Sequence, residues 1–104
     1  MQDRRCVIIL SYDLPMKTKS NLKSYRDFMK TIKKDGFVQM QKSVYSKAMN
    51  SIESSKKYLK RLKRDLPSLG NIMIIVLPIN VFNKGEFVGN AHTISNITKE
   101  IVNY

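Results

Sequence analysis

Cys6-Val7-Ile8-Ile9-Leu10-Ser11-Tyr12, followed by Asp13-Leu14-Pro15, decides how this chain folds. The run is short, apolar and rich in β-favoured side chains, and Asp-Leu-Pro stops it. It therefore reads as a buried strand entering a turn, with Asp13 at the strand's carboxyl end. A buried strand needs neighbours and a covering layer, and the residues that follow supply both. Leu22, Tyr25, Phe28, Met29 and Ile32 recur at helical spacing from about Ser20 to Lys34, which predicts a helix capped by Ser20 and stopped at Gly36.

Phe37 to Lys42 and Val44 to Ala48 are β-like runs on either side of Ser43, read as two strands or one bent hairpin. Asn50 and Glu53 have the spacing of a capping box, and Tyr58, Leu59, Leu62 and Leu66 mark a second helix that Pro67 and Gly70 end. Asn71 to Leu77 reads as another buried strand, closed by Pro78. The order β, α, β, β, α, β is that of an α+β, ferredoxin-like unit: a four-stranded antiparallel sheet with two helices on one face. The other sheet face then needs a cover. One domain, residues 1–104, is expected, with its core at about 5–78. In residues 79–90 the Gly turn and Phe87-Val88 predict an extra C-terminal strand, which a second protomer could receive. Residues 91–104 form a tail, or a short helix on Ile94, Ile97 and Ile101.

The 19 Lys and Arg against 8 Asp and Glu give a net charge of +11. Such a field attracts polyanions, so nucleic acid is the first partner to consider. A hydrophobic share of 42% suits a folded domain, and at this size a second copy would help to bury more apolar surface. The apolar runs at Cys6–Leu10 and Ile72–Leu77 are too short for a membrane span or a secretory signal, so a cytoplasmic location without a membrane partner is expected. Cys6 is the single cysteine, excluding an intrachain disulfide and a multi-cysteine metal site, and its apolar surroundings predict an inert thiol. His92 reads as an exposed tail residue, Asn96-Ile97-Thr98 as a chance glycosylation match, and the six Met residues as core filling.

Two cationic clusters stand out. Lys56, Lys57, Lys60, Arg61, Lys63 and Arg64 fall on one arc of the second helix, opposite its apolar residues, with no carboxylate between them. The arc is either a solvated face or a contact for phosphates. Lys17, Lys19, Lys23 and Arg26 line the approach to the first helix and its first turns, and Lys42 and Lys47 add charge near the hairpin. Arg26 is the expected bidentate phosphate clamp. Asp13 is the carboxylate that could hold a hard metal ion, or else simply caps the turn.

These residues resemble the CRISPR-associated protein two family, the small partner of the CRISPR integrase. The resemblance covers roughly residues 4 to 90. It rests on Ile8-Ile9-Leu10-Ser11-Tyr12-Asp13-Leu14-Pro15, Tyr25-Arg26-Asp27-Phe28, Gly36-Phe37, Gln41-Lys42-Ser43-Val44-Tyr45-Ser46-Lys47 and Gly70-Asn71-Ile72. The Ser-Val-Tyr-Ser-Lys hairpin and Phe87-Val88-Gly89-Asn90 are most similar to the branch in type II systems. Gln39 departs from members that carry Arg before this hairpin.

The resemblance implies a homodimer in which the strand after the fourth adds to the partner's sheet. It also implies that the two Asp13 side chains face each other across the dimer axis around one divalent ion, Mg2+ or Mn2+. Two carboxylates brought close are costly unless a cation or a proton sits between them. The leading function is a DNA-clamping adaptor that bridges integrase dimers in spacer acquisition, with metal-dependent endonuclease activity as a second property. Its rivals are a stand-alone Mg2+-dependent ribonuclease or deoxyribonuclease built on Asp13, and a generic ferredoxin-like RNA-binding module stacking bases on Phe37 and Tyr45, against which the Lys/Arg-Gly-Phe/Tyr pattern of the common RNA-recognition module is absent.

Overall fold

The structure is a computed structural model that describes residues 3–89. Its centre is β1 (Cys6–Asp13), flanked by antiparallel neighbours on both edges. The sheet order is β2 (Val38–Gln41), β3 (Val44–Met49), β1, β4 (Asn71–Pro78), with every adjacent pair antiparallel. Helices α1 (Lys19–Lys34) and α2 (Ile52–Leu62) supply Phe28, Met29, Ile32, Tyr58, Leu59 and Leu62 to one core with Ile8, Leu10, Phe37 and Tyr45. This is the expected ferredoxin-like βαββαβ arrangement.

Both caps differ from expectation. Helix α1 is capped by Thr18, whose hydroxyl accepts from the Asn21 backbone N–H at 3.0 Å while the Asn21 amide oxygen accepts from the Thr18 N–H at 3.3 Å. Ser20 already lies inside the helix. Helix α2 is capped by Ser51 and Ser54 rather than by Asn50 and Glu53. In both cases the residue with extended backbone takes the cap, and a short side chain three positions on returns the hydrogen bond. The α2 arc continues into a 3-10 turn at Lys63–Asp65.

Ser43 turns the β2–β3 hairpin with φ 64°, and the ladder shifts register between Gln39 and Gln41. Phe37 precedes β2 and is buried against Tyr58, with ring centroids 6.1 Å apart. It therefore has no free face on which a base could stack, contrary to the RNA-module reading.

Strand β4 is an edge strand whose exposed and half-buried residues alternate, not the buried strand expected; Met73 is 55% exposed and Ile75 41%. The methionines divide similarly: Met29 is buried and Met49 packs on the core, but Met16 and Met73 are exposed. Residues 79–89 hold one helical turn, α3 (Ile79–Phe82), and no strand within this chain. Pro78 ends the ladder, Ile79 N–H donates to the Arg5 carbonyl at 3.0 Å, and the Ile79 side chain is buried. Asn90, His92 and the tail at 91–104 lie outside the described residues. No helix among the described residues is long and apolar enough to cross a membrane.

Candidate nucleic-acid interface

Alternation along β1 sends Ile8, Leu10 and Tyr12 under the helices, so Ile9, Ser11 and Asp13 face the opposite side. Asp13 is exposed at the last rung, directly across from Asn71 of β4. Directly opposed residues on one sheet face have Cβ atoms about 4.5–5.5 Å apart. Asn71 is thus the neighbour that the sequence did not disclose, since only the β1–β4 register brings it there. The loop before it is tight. Gly70 has φ +97°, and a Cβ there would lie 2.7 Å from Leu14 Cδ2 and 2.8 Å from the Asp13 carbonyl oxygen.

The Asp13 carboxylate and the Asn71 amide oxygen are hard donors, the kind Mg2+ or Mn2+ accepts, and Mg2+ is commonly held by one or two carboxylates plus substrate phosphate and water. They fit such an ion in kind. No group of three or more His, Cys, Asp or Glu side chains that could hold a metal occurs among the described residues, and Asp13 is the carboxylate they place at this rung. Tyr12, adjacent in sequence, turns the other way. Its hydroxyl lies 3.3 Å from that of Tyr25 and donates to Met29 Sδ at 3.5 Å, and its ring packs against Phe28 and Tyr45. Burial, with Tyr25 beside it, pushes the Tyr12 phenol well above its ordinary range.

The cations lie elsewhere. Lys19, Lys23 and Arg26 are exposed along α1, where Lys30 and Lys33 extend the same stripe by two turns beyond what the sequence reading singled out. Arg26, Lys30 and Lys33 edge a shallow groove floored by Tyr25, Met29 and Tyr45. On α2 and its 3-10 turn, Lys56, Lys57, Lys60, Arg61, Lys63 and Arg64 are exposed, while Ser55, Tyr58, Leu59 and Leu62 are buried. Lys17 and Lys42 are exposed in the loops after β1 and β2. Among the described residues, none of the cations of α1 or α2 is held in an ion pair; Arg5 with Asp3, at 2.8 Å, is an exposed pair elsewhere.

Lys47 is the exception among the proposed phosphate contacts. It is half-buried, its ammonium donates to the Asp35 carbonyl at the end of α1, and it sits 5.4 Å from the centroid of the Tyr58 ring. Part of its hydrogen-bonding capacity therefore caps α1. Arg61 approaches the same ring at 5.4 Å, and the Tyr58 hydroxyl donates to Asp35 Oδ2 at 2.6 Å. Burial and this bond to a carboxylate push the Tyr58 phenol well above its usual range.

Residues 6–84 match the family model described as CRISPR associated protein Cas2. The chain belongs to the Cas2 family. A Parvibaculum lavamentivorans protein named CRISPR-associated endoribonuclease Cas2 is 35% identical over 77 residues, covering 74% of this chain and 76% of that protein. A Ligilactobacillus salivarius protein of the same name is 31% identical, covering 78% and 80% of the two chains. Among solved structures, one described as a crystal structure of Cas2 superposes with a TM-score of 0.56 at 21% identity, covering 83% of this chain and 88% of the other. Its likeness concerns the fold. The matched segment includes β1 with Asp13, both basic helices and β4 with Asn71, so the Asp13–Asn71 rung and both cationic stripes lie within the Cas2 match.

Proposed function

We propose that this Cas2-family chain works as a pair that clamps duplex DNA and bridges two dimers of the CRISPR integrase during spacer acquisition, with divalent-metal-dependent phosphodiester cleavage as a second property centred on Asp13. The observation that supports clamping is the helix layer, whose two cationic stripes carry no ion pairs among the described residues. Lys17, Lys19, Arg26, Lys42, Lys47, Lys56, Lys60, Arg61, Lys63 and Arg64 are the side chains this reading assigns to phosphates, Lys47 through the donors that its bond to the Asp35 carbonyl leaves over. Pairing is supported by the exposed Met73 and Ile75 and by residues 85–89, which join no strand of their own chain and are free to extend a partner's sheet.

Asp13, with Asn71 beside it, would hold one Mg2+ or Mn2+ together with the Asp13 of a second copy. When bound, such an ion supplies Lewis-acid stabilisation of a phosphoryl group and a water of lowered pKa. The side chains orient it, and Gly70 fixes the loop that keeps Asp13 in place.

Duplex binding should weaken steeply with salt, with a log–log slope of roughly −0.9 per phosphate neutralised. A flat titration would refute the clamp. Asp13→Ala should remove metal-dependent cleavage and leave duplex affinity unchanged within about twofold. Cleavage that persists in Asp13→Ala would refute the assignment of Asp13.

The relatives' shared name favours a second reading, cleavage of RNA by the same Asp13 centre. Assaying single-stranded RNA and duplex DNA side by side, with Asp13→Ala as the control, separates the two: Asp13-dependent cleavage confined to RNA supports the second reading.

A further inference from the structure

We propose that the cleft between the end of α1, β3 and α2 is a seat for one phosphate group, separate from the Asp13 end of the sheet. The proposal rests on the nucleic-acid reading above and assigns a specific place to part of it. The cleft has a volume of about 400 Å³, and Lys47, Lys57 and Arg61 enter it from two different elements.

Its charge is unbalanced. Among the described residues that line it, three cations face a single carboxylate, Asp35, and the Tyr58 hydroxyl already donates to that carboxylate at 2.6 Å. Lys47 and Arg61 both approach the Tyr58 ring, each 5.4 Å from its centroid, so one aromatic ring draws two cations to the cleft.

Donor capacity remains. The Lys47 ammonium carries three N–H groups, of which the Asp35 carbonyl engages one. The Arg61 guanidinium, free of ion pairs among the described residues, presents a planar fork that matches two phosphate oxygens. The excess of two positive charges suits a phosphate oxyanion with several acceptor oxygens better than it suits a single carboxylate.

The cleft is also distant from Asp13. Lys47 pairs with Ile8, five rungs before Asp13, which at about 3.4 Å per residue is roughly 17 Å along the strand. A strand gripped in this cleft is therefore held away from the position at which a metal would sit.

The test compares three full-length proteins: wild type, Lys57→Gln/Arg61→Gln, and Arg4→Gln/Lys84→Gln, which loses the same charge outside the cleft. Each is titrated across a salt series with a short duplex, either 5′-phosphorylated or hydroxyl-ended. Thermal melting verifies that the exposed substitutions leave the fold intact.

The cleft variant should bind about tenfold more weakly, with its salt slope reduced in magnitude by about 2, while the control variant keeps the wild-type slope. Equal losses on both duplexes assign the seat to backbone phosphate, and a loss confined to the phosphorylated duplex assigns it to a strand end; either result supports the seat. A cleft variant with the wild-type slope, or one no weaker than the control, overturns the seat while leaving the clamp standing. A flat wild-type titration instead overturns the clamp itself.

Discussion

The two faces of the sheet solve opposite problems. Under the helices, Ile8 and Leu10 are fully buried, aromatic rings of Tyr12, Phe28 and Tyr45 meet edge to face or stacked, and the charges of α1 and α2 point away into water. On the open side, Met73 and Ile75 are exposed, and the buried Ser46 hydroxyl, opposite Ile9 on the β1–β3 ladder, has no hydrogen-bond partner among the described residues. The helix-covered face is complete within one chain. The other has the composition of a surface awaiting a cover, and burying apolar area there is the most direct way for a chain of this size to gain stability.

The sharpest way to break that contrast is to cut into each face in turn. Leu10→Ala on the covered face should cost about 2–5 kcal/mol, read from the midpoint of chemical denaturation. A loss below about 1 kcal/mol would mean that the core is not where the packing places it. Gly70→Ala comes next. Its Cβ would meet the Asp13 carbonyl and Leu14 at a positive φ, so a cost of about 1–3 kcal/mol is expected, together with weaker metal-dependent cleavage because the Asp13 loop shifts.

The buried phenols give a pH test of the covered side. Tyr12, Tyr45 and Tyr58 are all raised above the ordinary value of 10.0, chiefly by burial. A phenol raised in the folded state stabilises the fold below its unfolded value and loses that contribution as pH climbs through the folded one. Thermal stability should therefore be level towards neutral pH with respect to these groups and fall above about pH 10. Tyr58→Phe should flatten that decline.

The open face should respond least. Ile75→Ser is expected to change the stability of the isolated subunit by no more than about 0.5 kcal/mol while shifting sedimentation towards the single subunit. Ser46→Ala, which removes a hydroxyl with no partner among the described residues, should raise subunit stability by about 0.5–1 kcal/mol. A loss in the isolated subunit would show that the hydroxyl is satisfied within the chain.

The contrast also explains what could be read in advance. Strand β1 and both helices were legible because hydrophobic period and length are local signals, and the buried arc of α2 falls where the spacing of Tyr58, Leu59 and Leu62 puts it. The caps moved by one or two residues because several short polar side chains compete at each helix start, and backbone geometry chooses among them. The exposure of Met73 and Ile75 was hidden, since an apolar run looks the same whether its cover comes from its own chain or another. At the candidate site, Asp13 was visible from its place at the carboxyl end of β1. Asn71 was not, because its position depends on strand register. Lys47 looked like any other cation, and only the fold brings it to the end of α1 and the Tyr58 ring.

Cys6 begins the central strand with none of its surface exposed, and its thiol donates to the Ser51 carbonyl at the start of α2. An alkylating reagent can reach that sulfur only when β1 and the cap of α2 separate. The rate at which the thiol is modified is therefore a built-in clock for the opening of the whole subunit, and needs no added probe. Slower labelling on adding DNA, Mg2+ or more of the same chain would show which of them holds the subunit closed.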